Sequence, residues 1–193
     1  LPCVADAGWV QGCPAGSRRA YWGVQIDGNR YNIVMYGGDT TALRLLGVNV
    51  ISQNSDPLPN TNYFTRRAAA ALGYGLDMTQ FEFDNGAIRV CGIIDDLLLG
   101  NANSTGNDLL IWTVQPNQSE YIGNLMSLVV KVNGDPADAV RAIQEFYAAE
   151  KPELDVTVRT YEDICSRAYA SEDRSLRLTG LFALLTIVLT VMA

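Results

Sequence analysis

Few side chains in this sequence can do chemistry, and their surroundings limit them further. Two pairs of adjacent carboxylates stand out: Asp95-Asp96 closing GAIRVCGIIDD, and Glu162-Asp163 opening YEDICSRA. Adjacent carboxylates can hold a hard cation or share a proton in acid–base work. Both pairs instead read as structural. Glu162 and Asp163 fall in the first turn of a helix, where the helix dipole favours negative charge and sequence neighbours do not face one another. Asp95 and Asp96 follow an apolar strand, where acidic residues commonly turn the chain.

The sequence has no histidine, which removes the commonest general base, the serine–histidine nucleophile pair and most zinc sites together. Cys3, Cys13, Cys91 and Cys165 are too dispersed for a CxxC ligand pair, although Cys3 and Cys13 can close a small surface loop in an oxidising compartment. Cys91, inside IRVCGII, and Cys165, in a helical segment, read as small buried hydrophobes. No glycine pattern matches a dinucleotide fingerprint or a P-loop, so no nucleotide site is expected in this chain, nor a cofactor or a metal. Asn103-Ser104-Thr105 and Asn117-Gln118-Ser119 match the glycosylation sequon, a pattern frequent by chance.

The elements that must carry these residues come from an ordinary globular composition: 193 residues, 48% apolar and 18% charged. The 14 basic and 21 acidic residues leave a net charge of −7, which repels a phosphate backbone and argues against a nucleic-acid partner. A short apolar piece runs to Val10, then the turn-rich GCPAGS. AYWGVQI (20–26) and RYNIVMY (30–36) read as a hairpin around Asp27-Gly28-Asn29. Asp39 or Thr40 caps a short helix that Gly47 ends before the strand VNVIS. QNSDPLPNTN is a polar, proline-broken connection into YFTRRAAAALG, read as a helix with a stop at Gly73. FEFDNGAIRVCGIIDD reads as two strands around Asn85-Gly86, GNANSTGND as a loop and LLIWTV as a buried strand.

From Leu125 the pattern becomes strand, helix, strand: LMSLVVKV, DPADAVRAIQEFYAAEKP and LDVTVRT. Asp135 is the expected N-cap with Pro136 at the first helical position, and Ala139, Val140, Ile143, Phe146 and Tyr147 share a face that should pack on a sheet. Thr160-Tyr161-Glu162-Asp163 resembles a capping box, and no proline or glycine follows before Gly180. One unbroken rod from residue 161 to 193 is therefore expected.

The end of that rod, LTGLFALLTIVLTVMA, has no charge. Its sixteen residues span about 24 Å as a helix, short of the ~20 residues that cross a bilayer core, so it reads as a truncated transmembrane helix over 178–193, the alternative being a buried C-terminal helix of a soluble core. Arg174 and Arg177, just before it, can reach lipid headgroups. Thr179, Ala183, Thr186 and Thr190 share one side, a small hydroxylated stripe suited to another membrane helix. Leu1 is not a methionine and no signal-peptide pattern follows it, so the chain is expected to be a piece of a longer protein.

The segment 86–193 resembles the extracytoplasmic domain and second membrane helix of FtsX-like, MacB-type ABC transporter permeases. GAIRVCGIIDD is similar to the family's V-x-G-V-V-x-D element, with Gly92 and Asp95 at its glycine and aspartate. LVVKVNGDPADAVRAIQEFYAAEKPELDVTVRTYEDI resembles the strand–helix–strand before the second span, and YASEDRSLRLTGLFALLTIVL the charged stem leading into it. Upstream, LPCV resembles the family's L-P-G-V with Cys3 at the glycine, and YGGDTTALRLLGVNVISQ is a degenerate counterpart of the next segment. Thr65-Arg66-Arg67 stands where an Asn-Glu pair is common.

The resemblance implies an α+β, two-lobed mixed α/β ectodomain. A porter-like lobe would comprise 1–27 and 119–170, a small α/β lobe 28–118 would be inserted in it, and a stem helix 160–177 would lead into the membrane. A first membrane span, with a strand and helix after it, would precede Leu1. The resemblance further implies a non-catalytic domain on the periplasmic side of a bacterial inner membrane. Its partners would be a cytoplasmic ABC ATPase, other permease helices and a periplasmic protein or substrate, in a dimeric complex. Thr160, Asp163, Arg174, Arg177 and Gly180 are the expected coupling residues. The alternative is a membrane-anchored α/β ectodomain of an enzyme or signalling protein, using the carboxylates or Cys91.

Overall fold

The computed structural model describes residues 1–11, 20–97, 109–115 and 126–192. Among these residues the order is β1 (Val4–Gln11), β2 (Ala20–Ile26), β3 (Asn29–Gly38), α1 (Thr40–Leu45), β4 (Val50–Gln53), β5 (Asn62–Thr65), α2 (Arg66–Ala71), β6 (Gln80–Phe83), β7 (Gly86–Ile94), β8 (Leu109–Val114), β9 (Met126–Val132), α3 (Pro136–Glu150), α4 (Tyr161–Ala168) and α5 (Ala170–Met192). The strands form one mixed sheet in the order β4-β7-β5-β8-β3-β1-β9, with β2 added on β3 and β6 on β7.

The centre of the sheet is buried on both faces, so its strands read as continuous apolar runs. Along β8, Leu110, Trp112 and Val114 join Tyr36, Tyr63, Cys91 and Ile94 beneath α1, which contributes Ala42 and Leu43. Ile111 points the other way and meets Ile33, Phe64, Phe81 and Ile93, with Ala68 and Ala69 of α2. Each large side chain removed from water in this way contributes about 1.5–3 kcal/mol. The two alanines let α2 lie close to the sheet.

The β2–β3 hairpin pairs Ile26 with Asn29 across Asp27 and Gly28, whose φ values of 50° and 79° are those of a two-residue turn matching strand twist. Asp39 caps α1, accepting from the Ala42 amide at 2.6 Å, and Gly47 at φ 75° follows its end. Asp135 likewise caps α3, with Pro136 in its first turn.

Four expectations need correction. The helix read over YFTRRAAAALG begins only at Arg66, because Tyr63 and Phe64 are strand residues inserted between β7 and β8 and Thr65 is the N-cap. The β6–β7 hairpin closes at Phe83 opposite Gly86, so Asp84-Asn85 forms the turn and Gly86 opens β7. LDVTVRT is not a strand: residues 154–160 belong to no ladder, since β-branched residues need a partner edge and none is paired with them.

The rod also breaks. Tyr169, at φ −100° and ψ 0°, ends α4, and its amide donates to the Ser166 carbonyl at 3.3 Å in a tightened i to i−3 turn. No proline or glycine marks this joint.

The β1–β9 pair joins the rest through a short ladder to β3 and through α1, which packs on it. β1 and β9 pair antiparallel from Val4 opposite Val132 to Gln11 opposite Met126, whereas among the described residues β1 meets β3 at Val10 opposite Gly38. Asp39 reinforces the join, its amide donating to the Trp9 carbonyl and its carboxylate accepting from the Trp9 amide, both at 3.1 Å. Gly8 is required here, because a Cβ would overlap the backbone of Ala42 at the start of α1.

Candidate functional site

The expected motif residues Gly92 and Asp95 lie on β7 and just past its end, and both act on the backbone around them. At Gly92 a Cβ would overlap the carbonyl oxygen of Ser52 on β4 and sit 3.2 Å from Tyr63 Cε1. The glycine lets β4 cross where the β4–β7 ladder shifts register between Val50 and Ser52. Asp95 exchanges bonds with Asn49: its amide donates to the Asn49 carbonyl at 3.0 Å, and its carboxylate accepts from Asn49 Nδ2 at 3.1 Å. Asp96 accepts from the Arg67 amide at 2.9 Å, in the first turn of α2. Arg66 stands 3.9 Å from both carboxylates. The acidic pair thus ties the end of β7 to α2 and to the loop before β4.

Beneath this corner lies a polar network the sequence did not suggest. Tyr63 Oη donates to Gln53 Oε1 at 2.9 Å, and Gln53 Nε2 donates to the Cys91 carbonyl at 3.1 Å. Asn62 is bonded through its amide to the Arg89 carbonyl at 3.0 Å and accepts from Thr113 Oγ1 at 2.8 Å. Asn54 Nδ2 reaches the carbonyls of Leu76 and Met78. In sequence, residues 53–62 look like a solvated loop; only the paired ladder shows that their amides satisfy buried backbone.

Cys91 sits within the network, fully buried, its thiol donating to the Asn62 carbonyl at 3.3 Å. Burial pushes the thiol up, away from the reactive thiolate. Burial also raises the Tyr63 phenol to about 12. Cys91 is therefore a packing residue, and nucleophilic chemistry by it is not supported. A shallow recess lined by Thr40, Thr41, Leu43, Arg44, Val48, Val50 and Tyr63 opens nearby. At its rim the Arg44 guanidinium bonds the Asp6 carboxylate and lowers its pKa.

The expected coupling residues lie elsewhere, on the stem. Thr160 is the N-cap of α4, accepting from the Asp163 amide at 3.2 Å, and Asp163 lies 3.8 Å from Arg167 one turn on. Arg174, Arg177 and Gly180 follow on the exposed surface of α5, with nothing near the position a Gly180 Cβ would take. Cys3 precedes β1, half-buried, and Cys13 lies outside the described residues, as do both sequons.

The apolar part of α5 carries Leu176, Leu178, Leu181 and Phe182 exposed, Leu176 at 71%. The hydroxyls of Thr179, Thr186 and Thr190 donate to carbonyls one turn back, at 2.9, 2.8 and 2.7 Å. Three apparently polar residues therefore present mainly a methyl surface. Among the described residues, no helix is long and apolar enough to cross a membrane.

No family model matches the sequence, and no curated protein does. Solved structures do. A domain described as part of a permease protein from Porphyromonas gingivalis superposes at a TM-score of 0.54, with 16% identity over 78% of this chain and 72% of that one. The fold is that of a permease ectodomain. The periplasmic region of MacB from Actinobacillus actinomycetemcomitans gives a TM-score of 0.53 and 11% identity, covering 77% of this chain and 68% of its own. At such identities the likeness is one of fold. The resemblance read from GAIRVCGIIDD and the strand–helix unit is thus met at the level of architecture.

Proposed function

We propose that this chain is the non-catalytic extracytoplasmic domain of an FtsX-like, MacB-type ABC transporter permease, transmitting ATP-driven movement of membrane helices to a periplasmic substrate or partner protein. The observation that carries the reading is the pairing of a permease-ectodomain fold with a C-terminal helix, α5, that exposes Leu176, Leu178, Leu181 and Phe182 to solvent. An uncovered apolar helix surface is costly in water and at home in lipid or against other helices. The back-bonded threonines suit the same surroundings, where every polar group needs an internal partner.

On this reading residues 178–193 enter the membrane, Arg174 and Arg177 lie at its surface, and ATP hydrolysis belongs to a separate cytoplasmic subunit or domain of a dimeric complex. The lobes of this reading are 1–27 with 119–170, and 28–118 inserted between them, with β2 and β3 pairing across that division from Ala20 opposite Met35 to Ile26 opposite Asn29. The boundary at 27/28 then falls in the β2–β3 turn. The intact protein should fractionate with membranes and co-purify with an ABC ATPase; a freely soluble protein with no such companion would overturn the reading.

A further inference from the structure

β4 closes the sheet at the end opposite β9, paired with β7 on its inner side and with no described strand on its outer side. Edge strands are commonly guarded by a lysine, a proline or a covering element. From Leu45 to Ser55 no residue is charged and none is proline. Val50 and Ile51 are 43% and 37% exposed, so nothing covers them either. Val50 pairs with Ile94 and Ser52 with Ile93, which leaves Ile51 as an extra residue in β4. Bulges of this kind re-aim side chains at sheet edges and beside functional sites.

On the α1 face of the sheet this edge adjoins the recess between α1 and β4. Buried Leu43 and Tyr63 form its floor, with Val48 and Val50 on one side and Thr40 and Thr41 on the other. Its volume is about 330 Å³. Ligand pockets span roughly 300–1,000 Å³, so this one has room for a side chain or two and little for a cofactor. Arg44 is the charged residue of the lining, and its guanidinium is already bonded to the Asp6 carboxylate. The Tyr63 hydroxyl is likewise committed to Gln53. What enters the recess is therefore uncharged and apolar, and the bonds that orient it come from the strand edge beside it.

We infer that β4 and this recess together take an extended, uncharged segment of another protein, which adds as a strand on β4 and places one aliphatic side chain in the recess. Strand addition draws affinity from main-chain bonds and selectivity from pockets that receive alternate side chains. Here the free edge and the pocket share Val50. A small molecule would fill the recess and leave the edge bare. A second copy would offer an edge, but two short, bulged strands make a poor ladder, and Val50 of each would stay in the wall of its own recess. Docking of this kind requires only the sheet edge and its recess, and holds whether or not the protein is a transporter subunit.

The test titrates a capped peptide, Thr-Val-Thr-Leu-Thr-Val-Thr, into the protein while backbone amide resonances are followed, in detergent that covers the leucines of α5. Companion peptides carry Ala or Asp in place of the central leucine. Resonances of Thr40, Thr41 and Val50–Gln53 should move saturably, and the Ala peptide should bind roughly tenfold more weakly or worse. The Asp peptide should not bind. Two variants at exposed or half-buried positions separate the edge from the recess, and their unfolding midpoints should stay near the parent's. Ile51→Lys, which charges the edge, should weaken the leucine peptide by about tenfold or more. Thr41→Phe, which fills the recess, should erase the preference for leucine over alanine. Equal binding of the leucine and alanine peptides by the parent, shifts confined to β2 or β9, or no shift at all would overturn the inference. So would β4 resonances that move with protein concentration before any peptide is added, which would assign the edge to a second copy.

Discussion

Gly92 and Ser52 are held together closely enough that the space where Gly92 would carry a side chain is taken by the Ser52 carbonyl oxygen. The contact lies between strands and involves rigid backbone on both sides, with Gln53 Cα only 3.3 Å from the same point. Gly92→Ala should therefore destabilise the domain by about 1–3 kcal/mol, through displacement of β4 and of the Gln53 bonds that depend on it. Gly180→Ala should act in the opposite direction. Its Cβ meets nothing, and an exposed helix interior gains about 0.5–1 kcal/mol from alanine. Denaturant unfolding reads the first change and helical circular dichroism the second. Equal effects of the two substitutions would remove the close-approach argument.

Asp96 should matter more than the arginine beside it. Its carboxylate accepts from the Arg67 amide, and Thr65 Oγ1 accepts from the Ala68 amide at 3.3 Å, so two of the first amides of α2 bond to side chains at this corner. Asp96→Ala should cost about 1 kcal/mol, as helix caps do. Arg66→Ala, which removes only exposed ion pairs at 3.9 Å, should stay within about 0.5 kcal/mol. Urea midpoints of the two variants decide it, and an arginine effect equal to that of the aspartate would restore an electrostatic role for the pair.

What the sequence made legible was local. Asp27-Gly28 sets its hairpin, and Asp39, Asp135 and Thr160 start their helices, because the chemistry of turns and caps is complete within a few residues. Tyr63 and Phe64 were hidden by the alanines after them: helix propensity dominates that window, while the ladders to β7 and β8 come from residues about thirty and fifty positions away. LDVTVRT has the composition of a strand without an observed partner, which only the sheet order reveals. Gln53, Asn54 and Asn62 look like loop residues until the buried carbonyls they serve are in place. The joint at Tyr169 carries no proline or glycine and gave no signal.

Tyr63 predicts an alkaline weakness. Its folded pKa of about 12 lies above the ordinary 10, so the folded state holds the proton more tightly. Its contribution is fully present below pH 10 and is lost as pH rises through 10 to 12, by about 1.4 kcal/mol for every tenfold difference in proton affinity between the folded and unfolded states. Tyr63→Phe should lose less stability than the parent across that window. It should also be modestly less stable at neutral pH, where the bond to Gln53 is gone. The Cys91 thiol, buried in the same network, should resist a thiol reagent at mildly alkaline pH in the folded protein and react once it is unfolded. Parallel stability curves for parent and variant between pH 10 and 12 would contradict the Tyr63 assignment.

The transmission reading is tested most directly in the stem, and the joint at Tyr169 determines where. A proline near residue 168 would fall at a turn already broken, so it would not distinguish a stiff lever from a loose one. Leu176 lies inside α5 and is 71% exposed, so within this chain a substitution there disturbs the backbone and little packing. Leu176→Pro removes one helical hydrogen bond, clashes with the preceding turn and kinks the helix at a cost of about 3 kcal/mol or more. Leu176→Ala leaves the backbone intact. If α5 carries movement between membrane and ectodomain, the proline variant of the intact complex should keep basal ATP hydrolysis and lose its coupling to transport, while the alanine variant keeps both. Coupling that survives the proline would show that the stem is a tether rather than a lever.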